Sequence, residues 1–259
     1  SIGHFRSEKL NRKRRRILSI DGAGPRASLS LQYLKRTESL LKSRSKDPDA
    51  FVLSDYFDLI GGTSVGGLIA AGLALAMRVV EIEAVLSTAL LNWYSPQRFS
   101  LPWFSAPKVD DSITQAVASI AGERKLSSDD LKTGFAACTK RLDTGSTWVV
   151  TNNPLARYWK SAPEYTGNEH YLLREILRGC IAYPGRPEPC SVKLQGNTDS
   201  ALFVDGTMGD LADPSYHLSD DGDPTALRTQ LADRGGPVIT NFGWFGFVET
   251  ETIGQADGG

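Results

Sequence analysis

The stretch Asp55–Ala70, DYFDLIGGTSVGGLIA, decides how the rest of the chain is read. It runs an apolar strand candidate, Tyr56–Ile60, into four glycines (Gly61, Gly62, Gly66, Gly67) around one serine, Ser64. It leaves at once on an apolar helix, expected over Val65–Met77 and, being apolar nearly all round, expected to be central. Close helix–sheet packing accounts for Gly66 and Gly67. It does not require a hydroxyl at position 64. Gly62-Thr63-Ser64-Val65-Gly66 fits G-x-S-x-G, a sharp strand-to-helix turn that holds a serine outward in a strained conformation. The helix behind it points its positive N-terminal end at any negative charge forming there. Ser64 is therefore read as a nucleophile, with a tight packing turn as the alternative.

Strands and helices alternate on both sides of this turn. Arg15–Ile20 reads as a strand ending at the turn Asp21-Gly-Ala-Gly-Pro-Arg26. Ala27–Leu41 has helical spacing, with Leu29, Tyr33, Leu34, Thr37, Leu40 and Leu41 on one face and Pro25 suited to the helix start. Further helices are expected over Glu81–Leu91, Asp111–Ile120 and Tyr171–Arg178, and an aromatic, proline-containing loop over Trp93–Trp103. Gly134–Lys140 and Thr147–Thr151 form a hairpin pattern around Leu142–Gly145. Ala201–Val204 is a strand leading to Asp205-Gly206, and Val238–Thr240 a late one. The pattern predicts a three-layer α/β/α sandwich with a central, mostly parallel sheet. Its organisation is expected as a basic arm (1–14), one domain (15–245) and a polar tail (246–259).

Composition narrows the function classes. The 259 residues are 41% hydrophobic and 23% charged, as in an ordinary globular protein, and the net charge of −1 gives no reason to expect a nucleic-acid partner. Residues 1–16 carry seven Lys or Arg and one Glu, so the remainder is acidic, with seven aspartates between Asp199 and Asp223. The Arg12–Arg16 run suits an anionic lipid surface, a nuclear import signal or a solvated arm. The aspartates lack a calcium-loop pattern and read as a solvated loop. Cys138, Cys180 and Cys190 have no paired metal spacing and read as a sign of a reducing compartment or simply as unpaired thiols, with a Cys180–Cys190 bridge only where an oxidising environment and geometry allow it. The longest apolar run, Leu68–Met77, is about half of a membrane span, so no transmembrane segment is expected.

A serine needs a base. His4 lies in the basic arm, His170 between polar residues, and His217 in the acidic stretch, where it follows Asp205 in the chain order of an α/β-hydrolase triad. Asp205 itself stands at the end of an apolar strand, where ligands bind in open α/β folds, and is either a base or an Asx turn. Asp21-Gly-Ala-Gly follows a strand and precedes a helix. It reads as a phosphate nest, as an oxyanion hole braced by Arg26, or as a tight turn.

Taken together, these three elements resemble the patatin-like phospholipase family. The family's D-G-G-G-x-R-G loop is matched by Asp21–Ala27, its G-T-S-x-G elbow by Gly62–Gly66, and its D-G-G or D-G-A motif by Asp205-Gly206-Thr207. An R-A-S-x-A-A-P run is matched by Arg178–Pro184. The resemblance covers roughly residues 15 to 245. It implies a Ser64–Asp205 dyad without histidine, and an oxyanion hole at Ala23 and Gly24 with Val65. Gly22 and Arg26 would support the loop, and Gly62, Thr63 and Gly66 would shape the elbow. It implies lipid acyl hydrolysis of phospholipid or lysophospholipid esters with no metal or organic cofactor. Departures are Ala23, Ala27, Thr207 and Tyr183. Ala23 keeps its N–H but costs about 1 kcal/mol if the site demands positive φ. The alternatives are a catalytically weakened patatin fold acting as a lipid- or protein-binding module, and a nucleotide-binding domain using the Asp21 loop. A cytoplasmic protein with peripheral membrane contact through the Trp93–Phe104 aromatics, or with Trp244–Phe247 in a similar role, completes the expectation.

Overall fold

The structure, a computed structural model, describes residues 14–22, 24, 27–94, 109–141, 146–163, 165–182, 190–195, 199–206 and 245–251. Its centre is three parallel strands: β1 (Arg14–Ile20), β2 (Leu59–Thr63) and β3 (Gly134–Arg141), with Ile20 opposite Gly62 and Thr63 opposite Cys138. Antiparallel strands complete an open mixed sheet: β4 (Thr147–Thr151) on β3, β5 (Cys190–Gln195) on β6 (Asp199–Asp205), and β7 (Phe245–Glu251) on β1. The helices are α1 (Ala27–Lys42), α2 (Leu53–Tyr56), α3 (Val65–Ala74), α4 (Val79–Tyr94), α5 (Val109–Ala121) and α6 (Leu173–Cys180). An α/β fold of this kind is what the alternating pattern predicts.

The apolar helix after Ser64 is central, as its composition requires. All ten residues of α3 are buried, and it packs on β1, β2 and β3 and against α2, α4, α5 and α6. Leu68, Ile69 and Leu73 with Leu18, Ile20, Ile60 and Phe135 make the inner core. Each such side chain stabilises the fold by about 2 kcal/mol relative to exposure. The buried Asn152 is matched on both sides of its amide: it accepts from the Phe135 N–H at 2.7 Å and donates to Thr133 O at 3.0 Å, locking the end of β4 to the start of β3.

Several boundaries depart from the sequence expectation. The strand expected at Tyr56–Ile60 begins three residues later, because Leu53–Tyr56 forms a helical turn, so Gly61 and Gly62 lie inside β2. Helix α1 turns a different face inward: Ala27, Ser30, Leu31 and Leu34 are buried, while Leu29, Tyr33 and Leu40 stand exposed. That strip keeps the i, i+3, i+4, i+7 spacing but faces α4, a choice only the neighbour can make. Trp93 and Tyr94 belong to the last turn of α4 rather than to a loop, and α3 stops at Ala74 instead of Met77. Residues 246–251, expected in a polar tail, are paired with β1, whose apolar strand needs a hydrogen-bonding partner along its outer edge. The aromatic stretch 95–103, the late strand 238–240, the acidic residues after Gly206, His4 and His217 lie outside the described residues.

Candidate active site

Ser64 is the joint between β2 and α3, with φ 51° and ψ −134°. That conformation costs a non-glycine residue about 1–3 kcal/mol and persists only where the surroundings impose it. Three backbones impose it here. A Cβ on Gly62 would lie 2.4 Å from Gly66 O, and one on Gly66 would lie 2.2 Å from Ile20 O and 2.7 Å from Asp21 O. The ends of β1 and β2 and the start of α3 are thus in backbone contact. Gly67 donates to Ser64 O at 2.9 Å, closing the turn from inside.

The loop after β1 is tied to the same point. Gly22 N–H donates to Thr63 Oγ1 at 2.9 Å, so this amide is engaged and is not offered to a phosphate. Gly24 carries φ +50°, with open space where a Cβ would stand. The left-handed position described in this loop is therefore filled by a glycine. Ala27 begins α1, so its substitution for the family glycine meets no conformational demand. Ala23, Pro25, Arg26, Tyr183 and Thr207 lie outside the described residues. Val65 is the first residue of α3, where backbone N–H groups have no partner within their own helix.

The position of Asp205 follows from the way β3 is shared. One edge of β3 pairs with β4 over Ala136–Lys140. The opposite edge pairs with β2 as far as Cys138, and β6 begins on that same edge at Thr139. Strand β2 runs parallel to β3 and β6 antiparallel to it, so their C-terminal ends meet head to head. Thr63 faces Cys138 and Asp205 faces Thr139, neighbouring residues of one strand. The topology therefore brings the residue after Thr63 and the last residue of β6 to one junction. Gly206 passes so close to Cys138 that a Cβ there would lie 2.6 Å from Cys138 O. Asp205 N–H donates to Ala182 O at 2.9 Å, fixing the strand end to the exit of α6. Ser64 is 5% exposed and Asp205 1%, in surroundings where water screens charge poorly.

Cys180 is the participant that sequence reasoning missed. Its thiol lies 3.3 Å from Cys138 O and 3.7 Å from Ser64 O, and a Cβ on Gly67 would come within 2.6 Å of it. It is buried completely. Burial first, then the neighbouring Asp205 and Cys138, push its pKa well above the usual thiol range, so it packs as a neutral group beneath the serine turn. The available signal was the Arg178–Pro184 run, which marks this segment but not its contact with the serine. His170, the described histidine, is exposed on a 3₁₀ turn beside Glu169. Among the described residues no helix is long and apolar enough to cross a membrane.

A family model described as patatin-like phospholipase matches residues 18–211, spanning the loop, the elbow and the Asp205 strand end. The chain belongs to the patatin-like phospholipase family. Over 204 residues it is 46% identical to patatin group A-3 of Solanum tuberosum, which covers 77% of this chain and 51% of that protein. Over 184 residues it is 36% identical to a cGAMP-activated phospholipase of Escherichia coli (strain TW11681), covering 68% and 48%. A cGAMP-activated phospholipase of Vibrio cholerae is 31% identical over 140 residues, covering 50% and 39%. The patatin-like chain thus spans about half the length of the curated relatives it matches.

Proposed function

We propose that this chain hydrolyses carboxylic esters of lipids, phospholipids or lysophospholipids, through an acyl-enzyme on Ser64 with Asp205 as the base. The observation that carries the reading is the convergence of β2 and β6 on one edge of β3, beside a serine held in a strained conformation. Ser64 Oγ attacks the acyl carbonyl as Asp205 takes its proton. Asp205 returns that proton to the departing alcohol oxygen as the ester bond breaks. Water, deprotonated by Asp205, then attacks the acyl-enzyme, and the proton goes back to Ser64 as fatty acid leaves. The oxyanion formed in each half is met by backbone N–H groups of Ala23 and Gly24 and by the N-terminal turn of α3 at Val65, where each donor is worth about 3 kcal/mol. Arg26 braces the loop that carries the first two. No metal or organic cofactor takes part. Membrane contact, where the protein meets its substrate, is peripheral.

A binding module that had lost catalysis would have no use for the strain at Ser64, and the Gly22 amide is not available for a nucleotide phosphate. Ser64→Ala and Asp205→Asn are each expected to reduce fatty-acid release by a factor of about 10³ or more, with the circular dichroism spectrum and melting curve retained. A fluorophosphonate should modify Ser64, located by mass spectrometry. Full activity in both variants would rule the dyad out.

A further inference from the structure

The Cys180 thiol is a buried group that the reaction above does not use. Its sulfur stands between two main-chain carbonyls, Cys138 O of β3 at 3.3 Å and Ser64 O of the serine turn at 3.7 Å. Burial keeps it protonated, so it is a donor, with one hydrogen shared between the two acceptors. The Gly67 N–H donates to the same Ser64 O at 2.9 Å. Glycine at 67 leaves room for the sulfur, since a Cβ there would come within 2.6 Å of it. Two residues beyond Cys180, Ala182 O accepts the Asp205 N–H at 2.9 Å. The short segment 180–182 therefore holds the main chain of both halves of the junction.

We propose that Cys180 is a positioning residue for the oxyanion donor at Val65. The Ser64 carbonyl and the Val65 N–H belong to one planar trans peptide and point in opposite directions. Anchoring the carbonyl on the Cys180 thiol and the Gly67 amide therefore fixes where the Val65 N–H points. An anchor is needed because Ser64, at φ 51°, holds a left-handed conformation that a non-glycine residue keeps only under constraint. Relaxation of that strain would swing the peptide plane and carry the donor with it. Cys180 is fully buried and does not meet substrate, so it acts through the main chain alone. The inference rests on the hydrolase reading above, since an oxyanion forms only where Ser64 attacks an acyl carbonyl.

The test compares p-nitrophenyl butyrate with its thiono analogue, in which sulfur replaces the carbonyl oxygen, for the wild type, Cys180→Ser, Cys180→Ala and Cys180→Val. A thiono sulfur is a weak hydrogen-bond acceptor, so its reaction draws little on the N–H donors. Cys180→Ala and Cys180→Val, which lack a donor, should lower kcat on the oxo ester roughly tenfold with KM within about twofold. The oxo-to-thiono ratio of kcat/KM should fall by a similar factor. Cys180→Ser, whose hydroxyl donates from nearly the same place, should keep both quantities within about threefold of wild type. Equal losses on the two esters would mark a merely structural role and overturn the proposal. A serine variant no better than alanine, or an alanine variant as active as wild type, would overturn it too. Alanine removes volume and valine adds it, so either variant that melts cooperatively supplies the comparison. No oxo ester hydrolysis and no fluorophosphonate labelling of Ser64 in the wild type would instead overturn the hydrolase reading, and the role of Cys180 with it.

Discussion

Ser64 holds a backbone conformation that only glycine adopts cheaply, and the residues that hold it there are identified by what they lack. Gly62 and Gly66 are glycines because three backbones touch, and Gly67 is one because the Cys180 thiol occupies the space its side chain would fill. Gly61 differs: a Cβ there would stand 3.3 Å from Ala136 O, a contact a strand can absorb. Gly66→Ala is therefore expected to cost about 3 kcal/mol in urea denaturation, since the Ile20 carbonyl cannot retreat without opening the sheet. Gly61→Ala should stay within about 1 kcal/mol of wild type, the loss of glycine entropy offsetting the tighter contact. Equal losses in both would show that close packing is spread over the whole turn and not concentrated behind Ser64. The sequence assigns Gly62 and Gly66 to the elbow pattern and Gly66 and Gly67 to packing, but not what each side chain would strike. Only the tertiary contacts separate the two forced by backbone from the one forced by a thiol and the one nearly free.

At the scale of an element, α3 shows how a helix ends where its composition says it should continue. Leu75-Ala-Met77 extends the apolar run, yet Ala76 takes φ 63°, with its N–H donating to Leu73 O at 3.0 Å and the Met77 N–H to Gly72 O at 3.0 Å. This double bond pattern is the one usually built on a glycine, so an alanine bears the left-handed strain here. The next helix starts immediately, and its first amide, Val79 N–H, is met by Glu38 of α1 at 3.3 Å. Partial burial raises the Glu38 pKa, opposed by that amide and by Arg78. The chain reverses between α3 and α4 because these two caps agree on the corner. Ala76→Gly is expected to stabilise the protein by about 1 kcal/mol, read as a rise in Tm of roughly 3 °C. A fall in Tm would mean that Ala76 contributes packing that outweighs its strain.

Over the whole molecule, a three-stranded parallel centre is finished by antiparallel strands, and each addition has a consequence. On one side, β6 arrives head to head with β2 and delivers Asp205 to the serine turn. On the other, β7 covers the outer edge of β1 over seven paired residues. Truncation before Phe245 would strip that edge and leave Ile17, Leu18 and Ile20 on a strand paired only with β2. The expected outcome is a loss of about 2 kcal/mol or more, read as a Tm lowered by roughly 4–8 °C, and self-association visible by light scattering. An unchanged melt from a monodisperse monomer would show that β7 adds nothing to the sheet. The sequence by itself determined the serine turn, the alternation of strands and helices, the apolar central helix and the motifs by which the family is recognised, because these rest on local spacing and on residue types few other conformations tolerate. It did not determine which stripe of α1 faces inward, that the chain past residue 245 returns to the sheet, or that a thiol from α6 lies under the serine. Those depend on partners far away in the chain. The meeting of β2 and β6 is of the same kind: two strands 140 residues apart share one edge of a third, and hydrogen bonding along that edge, not the residues of either strand alone, sets where their ends come together.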